Sequence, residues 1–111
     1  AIADLGEGWI AEEALAISIY CVLKVKSFKE LMSVSVSHDG DSDSTGAIAG
    51  NLWGALYGLE ECPKAWINKV EFEQQITEIA SDLYNFPTWD IGIYSEDSEL
   101  NKAVMFKYPG S

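Results

Sequence analysis

The stretch HDGDSDSTGAIAGNLWGALYG, residues 38–58, decides how this chain is read. It opens with Asp39, Asp41 and Asp43 at alternate positions and runs without a break into glycine and alanine. In extended or turning backbone, side chains two apart point to the same side, so the three carboxylates can converge. Like charges held that close repel one another unless something neutralises them. A hard divalent cation such as Mg²⁺, Mn²⁺ or Ca²⁺ takes carboxylate oxygens, and the hydroxyl of Ser44 or Thr45 can add a neutral one. The plainer alternative is a solvated acidic turn in which Asp43 or Ser44 caps the next helix. Spacing alone leaves both readings open.

An EF-hand is excluded. Counted from Asp39, the sixth position is Ser44 and the twelfth is Gly50; counted from Asp41, Gly46 fits the sixth but Leu52 is the twelfth. Neither register supplies the bidentate glutamate such a loop requires.

The segment after the aspartates predicts a helix over about Thr45–Tyr57. Gly46, Gly50, Gly54 and Gly58 recur every four residues and fall on one stripe. Each interior glycine costs about 1 kcal/mol relative to alanine. Close approach of another helix or of a bound ligand offsets that cost, and helix packing is the expectation at Gly50 and Gly54. The aspartate loop is then mounted at the start of a buried helix, a rigid seat for a metal site.

Working outward, WIAEEALAISIYCVLKVK predicts a first helix from Trp9 to Lys26, free of Gly and Pro. From Ala14 to Leu23 only Ser18 is plainly polar, so this helix calls for cover on several sides. Ser27 and Glu30 form a capping box that opens a second helix, about Phe28–Ser37, although SVSVS alternates like a strand. Pro63 suits the first position of a helix over PKAWINKV. Ile76, Ile79, Ala80 and Leu83 share a face of a helix over Glu71–Tyr84. Beyond Asn85 the chain is irregular, with a short helix near Glu99–Phe106. There is no internal repeat, and the fold class expected is all-α.

Composition narrows the function. The chain has 111 residues, one domain or a piece of one. Its net charge of −11, from 18 acidic and 7 basic residues, argues against binding nucleic acid or an anionic membrane. It leaves room for an anionic ligand if metal cations supply the positive charge. No 18-residue apolar run without charges is present, and the N-terminus has neither a secretory pattern nor an initiator methionine. Cys21 and Cys62 stand far apart in apolar contexts, as free buried thiols of a cytoplasmic protein do.

GDSDSTGAIAGNLWGALYG, with LGEGWIAEEALAISIYCVL upstream and HDGD between them, resembles the C-terminal part of the ADP-ribosylglycohydrolase family. The resemblance runs from about Leu5 to Tyr84, and TWDIGIYSEDSEL is similar to bacterial members. It implies an all-helical fold with two divalent metal ions, Mg²⁺ or Mn²⁺, at the bottom of a cleft. ADP-ribose, free or attached to a protein, binds there and is released by hydrolysis at the anomeric carbon. Through the family's D-x-D-[ST] motif, Asp41, Asp43 and Ser44 are the implied metal ligands, with Asp41 and Asp43 catalytic. Asp39 falls outside that pattern and becomes a residue behind the ligands or one that shapes the loop. The LGEGW segment makes Gly8 and Trp9 the implied substrate contacts, Trp9 by stacking; the alternative for Trp9 is a core residue at the helix start.

The family's N-terminal half carries a second ligand cluster, a hydroxyl residue followed by two aspartates, and no such cluster occurs elsewhere in these residues. The expectation is therefore a fragment with about half of the metal ligands, completed by self-association or by a missing N-terminal half. His38, the only histidine, is either a partner behind the ligands or a packed or solvated side chain. Glu12 and Glu13 read as a solvated helix face, with one of them able to face the cleft. Three functions compete: metal-assisted glycosidic hydrolysis, a non-catalytic metal- or ADP-ribose-binding or homodimeric module, and a structural remnant that binds neither.

Overall fold

A computed structural model describes residues 1–110. It is helical, with no strand among the described residues: α1 Ala11–Lys24, α2 Phe28–Val36, α3 Ser42–Tyr57, α4 Lys64–Ile67, α5 Glu73–Asn85 and α6 Ser98–Lys107. The chain divides into two compact units. The first is Ala1–Val70, and the second begins at Glu71.

In the first unit α3 packs against both α1 and α2. Helix α1 buries Ala14, Ile17, Ser18, Cys21 and Val22, spaced three and four apart as one helical face must be. These meet Leu31 of α2 and Ala49 and Trp53 of α3 in a small core. Ser18, the one polar residue of that face, sits with Oγ 2.7 Å from the Ala14 carbonyl oxygen and 3.1 Å from that of Thr45. A buried hydroxyl is tolerated because it is hydrogen-bonded, and here it joins α1 to the start of α3. The opposite stripe of α1, Leu15, Ile19 and Leu23, is exposed, Leu23 to 80%. Within the first unit, α2 and α3 therefore cover one side of this helix.

Local signals account for the helix ends. Ser27 Oγ accepts the Glu30 amide N–H at 3.2 Å and opens α2. The Glu30 carboxylate reaches back to the Lys26 amide, one residue beyond the usual partner of a capping box. SVSVS is helical up to Val36, because Leu31 and Ser35 share the buried face and packing on α3 overrides the alternation. Pro63 stands just before α4 rather than within it.

The glycine stripe does not pack as its spacing predicts. A Cβ on Gly46 would lie 2.8 Å from Val36 Cγ1, whereas one on Gly50 would make an ordinary 3.7 Å contact with Met32. Nothing lies within 4 Å of a Cβ on Gly54, and Gly58 ends the helix at φ 74°. Close approach is thus concentrated at the first turn of α3, beside the aspartate loop. Cys21 is buried and Cys62 half-buried, and both thiols are free. No helix of the described residues is long and apolar enough to cross a membrane.

In the second unit, Lys107 on α6 donates to Glu78 at 2.5 Å and to Asp82 at 2.6 Å, both on α5, and the Tyr108 hydroxyl donates to Asp82 at 2.6 Å. Ile79, Leu83, Phe86, Trp89, Ile91 and Val104 line an apolar cavity of about 340 Å³ next to this network.

Candidate functional site

The aspartate loop connects α2 to α3, and Asp41 ends it as the cap of α3. Its Oδ1 accepts the Ser44 amide N–H at 3.4 Å. The helix therefore starts at Ser42, three residues earlier than the sequence suggests, and Asp43 and Ser44 lie in its first turn rather than capping it. Hydrogen bonds with the Asp43 carboxyl, first, and with Ser44 hold the Asp41 carboxyl below its ordinary pKa. Asp41, Asp43 and Ser44 are thus brought together at one helix end. Among the described residues, no Lys or Arg forms an ion pair with Asp41 or Asp43, and no three His, Cys, Asp or Glu side chains gather in a metal-holding group. What the turn offers is two carboxylates and one hydroxyl, all hard oxygen donors, with no Lys or Arg among the described residues ion-paired to them. Asp39 is exposed and lines a separate cavity of about 390 Å³ with Glu7, Ser37, His38 and Gly40.

His38 uses both ring nitrogens. The Gly40 amide donates to Nδ1 at 3.1 Å, which leaves the proton on Nε2, 2.8 Å from Thr45 Oγ1. Thr45, fully buried, passes its own hydroxyl proton to the Ser35 carbonyl at 2.6 Å. The histidine is half-buried and ties the loop to the ends of α2 and α3.

The LGEGW segment lies directly on this loop. The Asp41 amide donates to the Glu7 carbonyl at 2.7 Å. A Cβ on Gly40 would fall 1.7 Å from that same oxygen, so only glycine allows the approach. Gly8 is buried at φ 82°, with Thr45, Asp41 and Ile17 around its missing Cβ. Trp9 is 65% exposed, and its indole N–H donates to Glu7 Oε2 at 3.0 Å. In this chain Trp9 is no core residue, and α1 begins two residues after it.

One residue was misread in the sequence. Glu13 is not part of a solvated helix face: its Oε2 accepts the amide N–H groups of Glu7 at 3.2 Å and Gly8 at 3.1 Å. A signal for it existed, a glutamate in the first helical turn able to reach back to preceding amides, as in a capping box.

The ADP-ribosylglycohydrolase family model matches residues 1–90, which include this pair of loops and α1 to α5. The chain belongs to the ADP-ribosylglycohydrolase family. Within the family it is 29% identical over 94 residues to ADP-ribosylhydrolase ARH3 of Bos taurus, covering 75% of this chain and 26% of that protein. ADP-ribosylhydrolase ARH1 of Dictyostelium discoideum is 41% identical over 59 residues, 53% of this chain and 15% of that protein. The ADP-ribosyl-[dinitrogen reductase] glycohydrolase of Rhodospirillum rubrum is 40% identical over 47 residues, 42% and 16%. The chain thus spans about a quarter or less of the length of these relatives. No solved structure matches it.

Proposed function

We propose that the start of α3 is half of the divalent-metal site of an ADP-ribosyl glycohydrolase, which hydrolyses the glycosidic bond joining ADP-ribose to a modified residue or related compound. The observation that carries this is the placing of Asp41, Asp43 and Ser44 together at the start of α3, with no Lys or Arg ion-paired to either carboxylate among the described residues. Neighbouring carboxylates repel one another, and a divalent cation between them relieves that repulsion. Asp41, Asp43 and Ser44 would hold Mg²⁺ or Mn²⁺, which supplies Lewis acidity and water activation when bound. Asp41 is held twice, by its backbone N–H, which donates to Glu7, and by its carboxylate Oδ1, which caps α3, so the carboxylate is fixed in place and Oδ2 is left for a further partner. Trp9 presents an exposed indole on which a base or ribose of ADP-ribose can stack. Gly8 brings the backbone of the same segment against the Asp41 carbonyl. Relatives named as ADP-ribosylarginine hydrolases support an ADP-ribosylated side chain as the substrate class.

The remaining ligands would come from outside these 111 residues, so this chain by itself is incomplete as a catalyst. A second reading, a non-catalytic binding or homodimeric module, is favoured by the bare Leu15–Ile19–Leu23 stripe.

Calorimetric titration with MnCl₂ and then ADP-ribose tests the first reading. Heat of Mn²⁺ binding that Asp41→Asn abolishes is expected, and no heat from the wild-type chain would overturn the metal assignment. Release of ADP-ribose from a modified arginine by this chain alone, lost in the same variant, would overturn its incompleteness. Light scattering decides the second reading: a dimer is expected from it, and a monomer would remove its support.

A further inference from the structure

The structure assigns Glu13 a role: its carboxylate is the positioning group of the aspartate turn, acting through the LGEGW backbone on Asp41. Nothing in the hydrolytic reading asks for this residue, which lies on a different helix from Asp41, Asp43 and Ser44. Its Oε2 receives two successive amides, those of Glu7 and Gly8, at 3.2 and 3.1 Å. Successive backbone N–H groups turned to one side form a concavity for an anion, and a charged acceptor makes the bonds stronger than neutral ones. Here the anion is a side chain of the protein.

The geometry shows that the fit is built. Gly6, at φ 101°, a conformation that favours glycine, brings the backbone against the carboxylate, where a Cβ would come 2.4 Å from Glu13 Cδ. With both amides held, the Glu7 carbonyl points the other way and takes the Asp41 N–H at 2.7 Å. The order of dependence is therefore Glu13, the Glu7–Gly8 backbone, then Asp41. His38, within the loop itself, accepts the neighbouring Gly40 amide, so two successive amides of the turn are held, one locally and one by the LGEGW backbone. Among the described residues Glu13 forms no hydrogen bond with the side chains of Asp41, Asp43 or Ser44. It sets where the Asp41 backbone lies and so where its carboxylate is presented.

The consequence for metal binding rests on the proposed site, but the positioning itself does not, and the test separates them. Glu13→Asp keeps the charge and loses the reach; Glu13→Gln keeps the reach of the acceptor oxygen and loses the charge. Amide hydrogen exchange of Gly8 and Asp41 in the metal-free chain reads positioning, and circular dichroism checks that α1 to α3 remain folded. Free Mn²⁺ measured by electron paramagnetic resonance reads affinity. Glu13→Asp is expected to speed exchange at both amides and to weaken Mn²⁺ binding about tenfold or more, the scale of losing a group that orients a ligand. Glu13→Gln, whose neutral oxygen keeps the reach but makes weaker bonds, is expected to fall between wild type and Glu13→Asp in both.

Unchanged exchange at Asp41 in Glu13→Asp would overturn the assignment. If the wild-type chain binds no Mn²⁺ while exchange ranks as expected, the metal assignment falls and the positioning role of Glu13 stands.

Discussion

Replacing Gly40 by alanine is the most direct test of the contact between the two loops. The added Cβ would sit 1.7 Å from the Glu7 carbonyl oxygen and 2.5 Å from its carbon, far inside the 3.0 Å below which Cβ contacts essentially do not occur. Both obstacles are backbone, so no side chain can rotate away. Gly40 does not have the positive φ of Gly6 or Gly8, so an alanine is not strained by conformation, and the clash alone decides the outcome. Relief requires the loops to separate, which breaks the 2.7 Å bond from Asp41 to Glu7. Losing that bond costs about 1 kcal/mol, and the overpacking roughly 1–3 kcal/mol more. A loss of about 2–4 kcal/mol is expected in urea unfolding. In a domain of this size each kcal/mol moves the melting temperature by roughly 4–8 °C. Gly54→Ala is the internal control. Its Cβ meets nothing within 4 Å, so alanine should stabilise α3 by about 0.5–1 kcal/mol. Opposite signs for two glycines of one sequence stretch are the signature sought. A Gly40→Ala chain within about 0.5 kcal/mol of wild type would refute the close-approach argument.

Two further outcomes follow from local chemistry. Ser27→Ala removes the hydroxyl that accepts the Glu30 amide and should cost about 1 kcal/mol in urea unfolding, whereas Ser27→Asp should retain the cap. In the second unit, hydrogen bonds from Lys107 and Tyr108 hold Asp82 below its ordinary pKa, and the same carboxylate raises Tyr108. A depressed carboxylate contributes stability above its unfolded pKa, about 4, and loses it as pH falls through the lower folded value. Asp82→Asn should therefore be less stable than wild type at neutral pH and converge with it in strong acid. Tyrosinate absorbance should show Tyr108 titrating earlier in that variant, and an unmoved titration would contradict the bond.

The helices were legible because each carries its own signal. The face of α1 shows in apolar residues three and four apart, the start of α2 in Ser27 and Glu30, and the length of α5 in its Ile76–Ile79–Leu83 periodicity. SVSVS was ambiguous, since alternation describes a strand only when a sheet partner exists, and packing against α3 settled it as helix. Spacing showed that the glycines of α3 share a stripe but not which of them meets a neighbour. That depends on where α2 passes, and it passes at Gly46. Glu13 was lost among solvated helix charges because its partners are amides of a loop whose path no local rule predicts.

The sequence by itself determined the helical class, the family resemblance and the grouping of Asp41, Asp43 and Ser44, since all of these rest on residues close together along the chain. Tertiary structure alone decided which residue caps α3, that Trp9 stands exposed, and that LGEGW is pinned to the aspartate turn through Glu13, Glu7 and Gly40. The pinning of LGEGW to the turn rests on a contact between segments about thirty residues apart in sequence. Their geometry is set by helix packing and by the glycines that let two backbones touch, and neither leaves a periodic trace in the chain.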